Sequence, residues 1–386
     1  MSQSTPPSED FRTPGQLIQS LLAEKGWNQR VLAMVLGVEQ PLISGLISGK
    51  RAVDARRALA LAEVFDVPAE RFMDLQLSYD LAQARIVTRP DPTRANRAQL
   101  FGQLPVAEMI TRGWVMAGDI RDVPKVESGL AAFFGVRSVS EIEFLPHAAK
   151  RTIVAGEVSA TQLAWLYRVR QIARKMVVPK YSTAAMVDAM TRLRELLASR
   201  EEARKAPRIL AEAGVRLVVV ESLTGAKIDG ACFWLDDRSP VIGLSLRFDR
   251  IDNFWFVLRH ECEHVLRGDG RTTMILDVEL EKERGGIGGD LDAQELAANR
   301  AAAEFCVPQK TLQQFIARKA PIFTERDILA FAKMINVHPG LVAGQLQRST
   351  SRYERFRNHL TKIRDVVLPN VLHDGWGDVA PVELSP

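Results

Sequence analysis

The feature that most constrains this chain is a change of texture at Gly214. Before it, the apolar residues keep helical spacing: Leu17, Leu21 and Leu22 in "PGQLIQSLLAEKG", and Trp165, Val169 and Ile172 in "TQLAWLYRVRQIARKM". After it, "GVRLVVVES" is a β-branched run that reads as a buried strand. "GACFWLDD" and "PVIGLSL" follow, separated by the turn cluster Asp236-Asp237-Arg238-Ser239. Helices first and strands late, over 386 residues, exceed one ordinary domain. The expectation is an all-α module at the front and an α+β unit behind it.

The boundaries follow from local composition. Residues 1–10 are polar and Pro-containing and read as a disordered tail. Residues 11–90 hold short helices, with Asn28 and Asp54 as caps and Gly26, Gly37 and Gly49 as stops. "RPDPTRANR" reads as a linker opening a helical middle segment, residues 91–205. Residues 206–310 form the α+β unit, in which about 269–291 reads as an acidic, Gly-rich loop. Residues 311–386 read as helical again.

Bulk properties exclude several classes. No run of about 18 apolar residues is present, so no membrane span is expected and no membrane partner. "MSQSTPPSED" has neither the basic start nor the apolar stretch of a signal peptide. Three scattered cysteines give no disulfide framework and suit a reducing compartment, so a cytoplasmic location is expected. The net charge of +4 conceals a segregation: residues 91–205 carry 18 basic and 12 acidic side chains, residues 206–310 carry 13 and 18. The sum alone does not make a nucleic-acid binder.

The front module has the rhythm of a helix-turn-helix, a short helix to Leu36, a turn at Gly37 and a second short helix. In that motif the second helix meets base edges, which selects Gln40 and Ser44 as readers of double-stranded operator DNA. Gln29, Lys50 and Arg51 suit phosphate contacts, as do Arg56 and Arg57. Gly45 stands where a long polar reader is common. Operators usually mirror a twofold protein, so a homodimer is expected. A helical module for dimerisation or partner docking is the competing reading.

"VLRHECEHVLRG" carries His260 and His264 four residues apart, on one face of a helix, where both can aim imidazole nitrogens at one ion. Zinc accepts such ligands and, in catalytic sites, keeps a position for water. Glu261, about 100° further round, can reach that water as general base rather than the metal. Glu295, at the start of the next helix, is the candidate third ligand. Asn299, one turn on, could hydrogen-bond the far nitrogen of a ligand histidine and fix its tautomer. Cys262 reads as a core thiol and Glu263 as a solvated helix face. The alternative is a charged helix that happens to hold two histidines. His147, His338, His359 and His373 have no metal-like spacing.

On these residues two resemblances join. Residues 13–85, with "TPGQLIQSLLAEKGWNQRVLAMVLGV" and "LISGLISGKRAV", resemble the XRE-type helix-turn-helix of HigA-like antitoxins and phage-type repressors. Residues about 206–310, with "KIDGACFWLDDRSPVIGLSLRFDRIDNFWFVLRHECEHVL" and "ELAANRAAAEFCVP", resemble the ImmA/IrrE family of metallopeptidases. The second resemblance implies a zincin fold with His260, His264 and Glu295 as zinc ligands and Glu261 as base. It also implies a protein substrate, a repressor or antitoxin, and a role in transcriptional control. The rival expectation is a HigA-like repressor or antitoxin whose zinc domain senses a ligand or binds a partner without cutting.

Overall fold

The structure, a computed structural model, describes residues 11–88, 94–142, 158–278, 280, 293–376 and 378–380. The tail expected over 1–10 and most of the linker's first half lie outside them. The chain divides into two compact units, Met1–Arg94 and Ala95–Pro386.

The first unit is α1 (Pro14–Glu24), α2 (Gln29–Leu36), α3 (Gln40–Ile47), α4 (Ala55–Phe65) and α5 (Ala69–Val87). Side chains of Thr13, Asn28 and Asp54 accept the N–H groups of Gln16, Val31 and Arg57, so three helix starts are fixed locally. Gly37 ends α2 in the left-handed region at φ +67, and α3 leaves at 117° to α2. Leu17, Ile18, Leu32, Ile43, Leu61 and Phe72 form the core.

The second unit begins with α6 (Arg94–Gln103), α7 (Val106–Thr111), α8 (Val123–Phe134), α9 (Ala160–Lys175), α10 (Thr183–Glu195) and α11 (Ala206–Glu212). There follow β1 (Arg216–Val219), β2 (Ile228–Trp234), β3 (Pro240–Leu244), α12 (Ile251–Arg267), β4 (Ile275–Val278) and α13 (Ala293–Cys306). The unit closes with α14 (Gln309–Lys319), α15 (Glu325–Met334), α16 (Pro339–Thr350), α17 (Arg364–Val367), β5 (Leu372–Gly375) and β6 (Asp378–Ala380).

One sheet orders the strands β4-β2-β3-β1-β5-β6. β1 lies parallel to β3 and β5, while β2 is antiparallel to β3 and β4. Side chains alternate across it, and both faces are buried, which is why β1 reads as a continuous β-branched run. Leu217 and Val219 join a cluster with Trp255 and Leu258 of α12. Val218 and Val220 join Trp165, Val169 and Ile172 of α9. Gly243 lets α9 close onto the sheet, since a Cβ there would lie 2.9 Å from Val169 Cγ1.

The architecture is the expected α+β, with two corrections. Residues 275–278 form an edge strand where a loop was expected, and residues 372–375 and 378–380 form strands where helix was expected. In β4 the buried Asp277 interrupts an apolar alternation only four residues long. In β5 the inward Asp374 accepts two hydrogen bonds from Arg168, at 2.9 and 2.6 Å, and one from Trp114 Nε1 at 2.7 Å. Both strands bury an acid, so neither carries the apolar pattern of a strand. The same ion pair ties α9 to β5, so the helices of the middle segment from Ala160 onward and the C-terminal strand Leu372–Gly375 pack within the unit that contains the sheet.

Candidate metal centre

α12 is buried almost all round, from Ile251 to Leu258 and again at His260, Glu261, Cys262, His264 and Val265. A helix of that kind belongs in a core between other elements. The sheet covers one side of it and α13 lies along another. Ala298, Ala302 and Cys306 of α13 are buried at four-residue spacing, and their small side chains let α13 lie close against α12. Glu295, one turn before Ala298, is thereby carried over the two histidines.

The convergence is direct. His260 Nε2 and His264 Nε2 stand 3.1 Å apart. Glu295 reaches His260 Nε2 at 3.3 Å through Oε2 and His264 Nε2 at 3.4 Å through Oε1. Asp277 Oδ2, from β4, also lies 3.3 Å from His260 Nε2. The ligand atoms of His260, His264, Asp277 and Glu295 all fall within 4.8 Å of one another. Asp277 Oδ2 and Glu295 Oε2 are buried without a hydrogen-bond partner among the described residues. Two imidazoles and two unpartnered carboxylate oxygens facing one point are a donor set for a divalent cation, and these four side chains could hold one.

Glu261 sits beside this cluster and is fully buried, with neither carboxylate oxygen hydrogen-bonded among the described residues. Space for it comes from Gly230 of β2, where a Cβ would lie 2.1 Å from Glu261 Oε1. Burial raises the Glu261 carboxyl well above the usual range, and the charges of Asp277 and Glu295 add to the rise. Burial also works against ionised Asp277, but the neighbouring His260 and His264 outweigh it and hold that carboxyl well below its usual value. For His260, burial lowers the imidazole, yet Asp277 and Glu295 prevail and raise it to about 9. The cluster is thus negative enough to hold a proton on an otherwise fully buried imidazole.

The expected contact from Asn299 to a histidine's far nitrogen is not made among the described residues. His264 Nδ1 faces Asp269 Oδ2 at 3.1 Å instead, and His260 Nδ1 has no partner there. The cause lies at the helix end. Gly268 takes φ +76, the chain reverses, and the Asp269 N–H donates to His264 O at 2.9 Å. Trp234 Nε1 donates to Asp269 O at 2.8 Å and pins this turn to β2. Asn299 stays half-buried on α13 with its Oδ1 unpartnered.

The sequence reading missed Asp277, Asp269 and Gly230. Of the flanking residues, Cys262 is a buried thiol pushed up to about 12 by burial, as a core thiol would be. Glu263 is less solvated than expected, because Arg259 pairs with it at 2.7 Å. Among the other histidines, His147 lies outside the described residues, and His338 caps α16 by accepting the Gly340 N–H at 3.0 Å.

In the first unit, Gln40 and Ser44 are exposed one turn apart on α3, with Lys50 and Arg51 exposed just after it and Gln29 half-buried at the start of α2. Gly45 is buried rather than presented to a ligand. A Cβ there would lie 3.1 Å from Arg51 Cγ, so the stem of Arg51 packs over this glycine.

Comparison with known proteins agrees with this division. Residues 18–72 match the helix-turn-helix family. Residues 212–339 match the IrrE N-terminal-like domain of the M78 peptidases, a span that contains the whole histidine and carboxylate cluster. No curated protein matches the chain. Among solved structures, an addiction module antidote protein of a HigA family from Coxiella burnetii matches at 23% identity with a TM-score of 0.19, covering 22% of this chain and 89% of that one. No single described helix is long and apolar enough to cross a membrane. The chain therefore joins a DNA-binding helix-turn-helix region to an IrrE N-terminal-like region, the arrangement of a regulator with a peptidase-family domain.

Proposed function

We propose that this chain is a cytoplasmic, homodimeric regulator that binds operator DNA. Its second domain would be a zinc-dependent endopeptidase that hydrolyses peptide bonds in a regulatory protein such as a repressor or antitoxin. The observation that carries this reading is the meeting of His260, His264 and Glu295 within 3.1–3.4 Å, with the unpartnered Glu261 carboxylate beside them.

His260, His264 and Glu295 would hold the ion, and Asp269 would fix the His264 tautomer by accepting a hydrogen bond from its Nδ1–H. Bound zinc supplies Lewis acidity toward a peptide carbonyl and makes water more acidic. Glu261 takes the proton of the attacking water and delivers it to the leaving amine. On the DNA side, Gln40 and Ser44 would read bases while Gln29, Lys50 and Arg51 meet phosphates.

The enclosure of the site supports a second reading. His260, Glu261 and His264 have no exposed surface, which suits a HigA-like repressor or antitoxin whose zinc domain senses a ligand or binds a partner without cutting. Glu261→Gln separates the two. Mapping of new protein N-termini in cells expressing wild type or the variant should show cleavage by the wild type alone. Loss of a general base costs about 10²–10⁴-fold. Zinc content and operator binding should not change. Identical N-termini in both cells would reject the peptidase.

A further inference from the structure

The metal reading leaves Asp277 without a role. Its position is specific. β4 pairs with β2 so that Asp277 lies opposite Gly230, and its side chain falls on the α12 face of the sheet. It is 5% exposed, and Oδ2 has no hydrogen-bond partner among the described residues. That oxygen is directed at His260 Nε2, the same nitrogen that faces His264 and Glu295, and not at the far nitrogen where an orienting carboxylate belongs. Asp269 fills the orienting role on His264, so the two aspartates are distinguished by which nitrogen they meet.

Distances make the argument quantitative. Four donors held tetrahedrally at about 2.0–2.1 Å from zinc stand about 3.3–3.4 Å from each other. The contacts of His260 Nε2 with His264, Asp277 and Glu295 are 3.1, 3.3 and 3.3 Å, and all four donor atoms lie within 4.8 Å of one another, so Asp277 Oδ2 approaches the cluster from the His260 side.

Resting on the metallopeptidase reading above, we propose that Asp277 is a fourth protein ligand. It takes the position a catalytic site reserves for water, so that the site is closed in this conformation and opens only when Asp277 withdraws. β4 is the edge strand and pairs with β2 alone, with a register break between Ile228 and Gly230, so it is the element of the site held by fewest strand contacts.

The test uses the full chain loaded with cobalt(II), which accepts zinc's four-coordinate geometry, and with zinc for affinity. Exchangeable water on the ion is counted by proton relaxation and by isotope-labelled-water resonance, in wild type, Asp277→Ala and Asp277→Asn. The expected result is no exchangeable water in the wild type and at least one in Asp277→Ala. Zinc affinity should fall by at least the 10- to 100-fold that loss of an outer partner already costs. Asp277→Asn keeps the volume and carries the test if the alanine variant does not fold; it should lose affinity in the same direction. Coordinated water in the wild type, with zinc affinity unchanged in both variants, overturns the proposal and leaves the peptidase reading standing. If His260→Ala holds zinc as well as the wild type does, the metal reading itself fails and this inference with it.

Discussion

Gly230 tests the placement of the base through space alone. Its φ is not in the left-handed region, so alanine brings no backbone strain. What it brings is a methyl group 2.1 Å from Glu261 Oε1, 2.9 Å from Glu261 Cδ and 2.9 Å from Val257 Cγ1. Restoring ordinary contact requires Glu261 to retreat by about 1 Å, and a fully buried carboxylate has no solvent to retreat into. Overpacking of this kind costs about 1–3 kcal/mol, and a 1 Å misplacement of a reacting group costs about 10²-fold in rate. Gly230→Ala should therefore melt several degrees lower and generate the fragments of the wild-type reaction about a hundred times more slowly. Because Glu261 is not among the four donors, zinc content should stay near the wild-type value. The assay is the rate of appearance of wild-type cleavage products, with elemental analysis and a thermal melt alongside. Wild-type rate and wild-type melting together would refute the placement of Glu261 against β2.

Other perturbations read other parts of the molecule. His260 is raised from 6.5 to about 9 by its carboxylate neighbours, so without added metal its proton stabilises the fold fully below about pH 6.5 and that contribution is lost as pH rises through about 9. Chelated protein should thus lose up to about 3 kcal/mol over that window in urea titrations, while zinc-loaded protein should not; a flat chelated profile would contradict it. Asp374→Ala removes the acceptor of two hydrogen bonds from Arg168 and one from Trp114 Nε1, while Arg168 keeps its contact with Gln171, and should cost about 1–3 kcal/mol by denaturant unfolding, with an unchanged midpoint counting against the tie between α9 and β5. Cys262, buried and pushed up to about 12, should resist thiol reagents until the second unit unfolds; rapid labelling of the native chain at that cysteine would be the contrary result.

The parts legible in the sequence were those whose local pattern and tertiary role agree. Gly37 and Gly268 stop helices where their left-handed geometry requires a glycine, and the four-residue spacing of His260 and His264 survives into a 3.1 Å approach. Leu217 to Val220 read as a strand because both faces of the sheet are covered. The parts that were not legible are those where a buried polar group replaces an apolar one. Asp277 and Asp374 each remove the strand signal from a four-residue segment, and each is tolerated because a partner more than 15 residues away in sequence neutralises it. Asp269 was overlooked for a related reason: the reversal at Gly268 that returns it to His264 is a backbone event, and one-face counting along a helix does not extend past the helix end.

Buried charge gives the strongest reason to think that this second unit is built around a cation. Glu261, Asp277 and Glu295 crowd one interior point, and ionising all three there would be prohibitively costly without compensation. Protein groups alone compensate with protons: Glu261 is driven toward its neutral form and His260 is driven toward its charged form. Those protons stand where positive charge is needed, and no arginine or lysine among the described residues pairs with Asp277 or Glu295 to supply it. A divalent ion does the same work with shorter contacts and without protonating the imidazole that faces it. The fold would gain little from an acid on β4, another at the head of α13 and a third on α12 if they were meant only to be titrated. Their convergence on two imidazole nitrogens is a donor set whose charge a cation at the centre would neutralise.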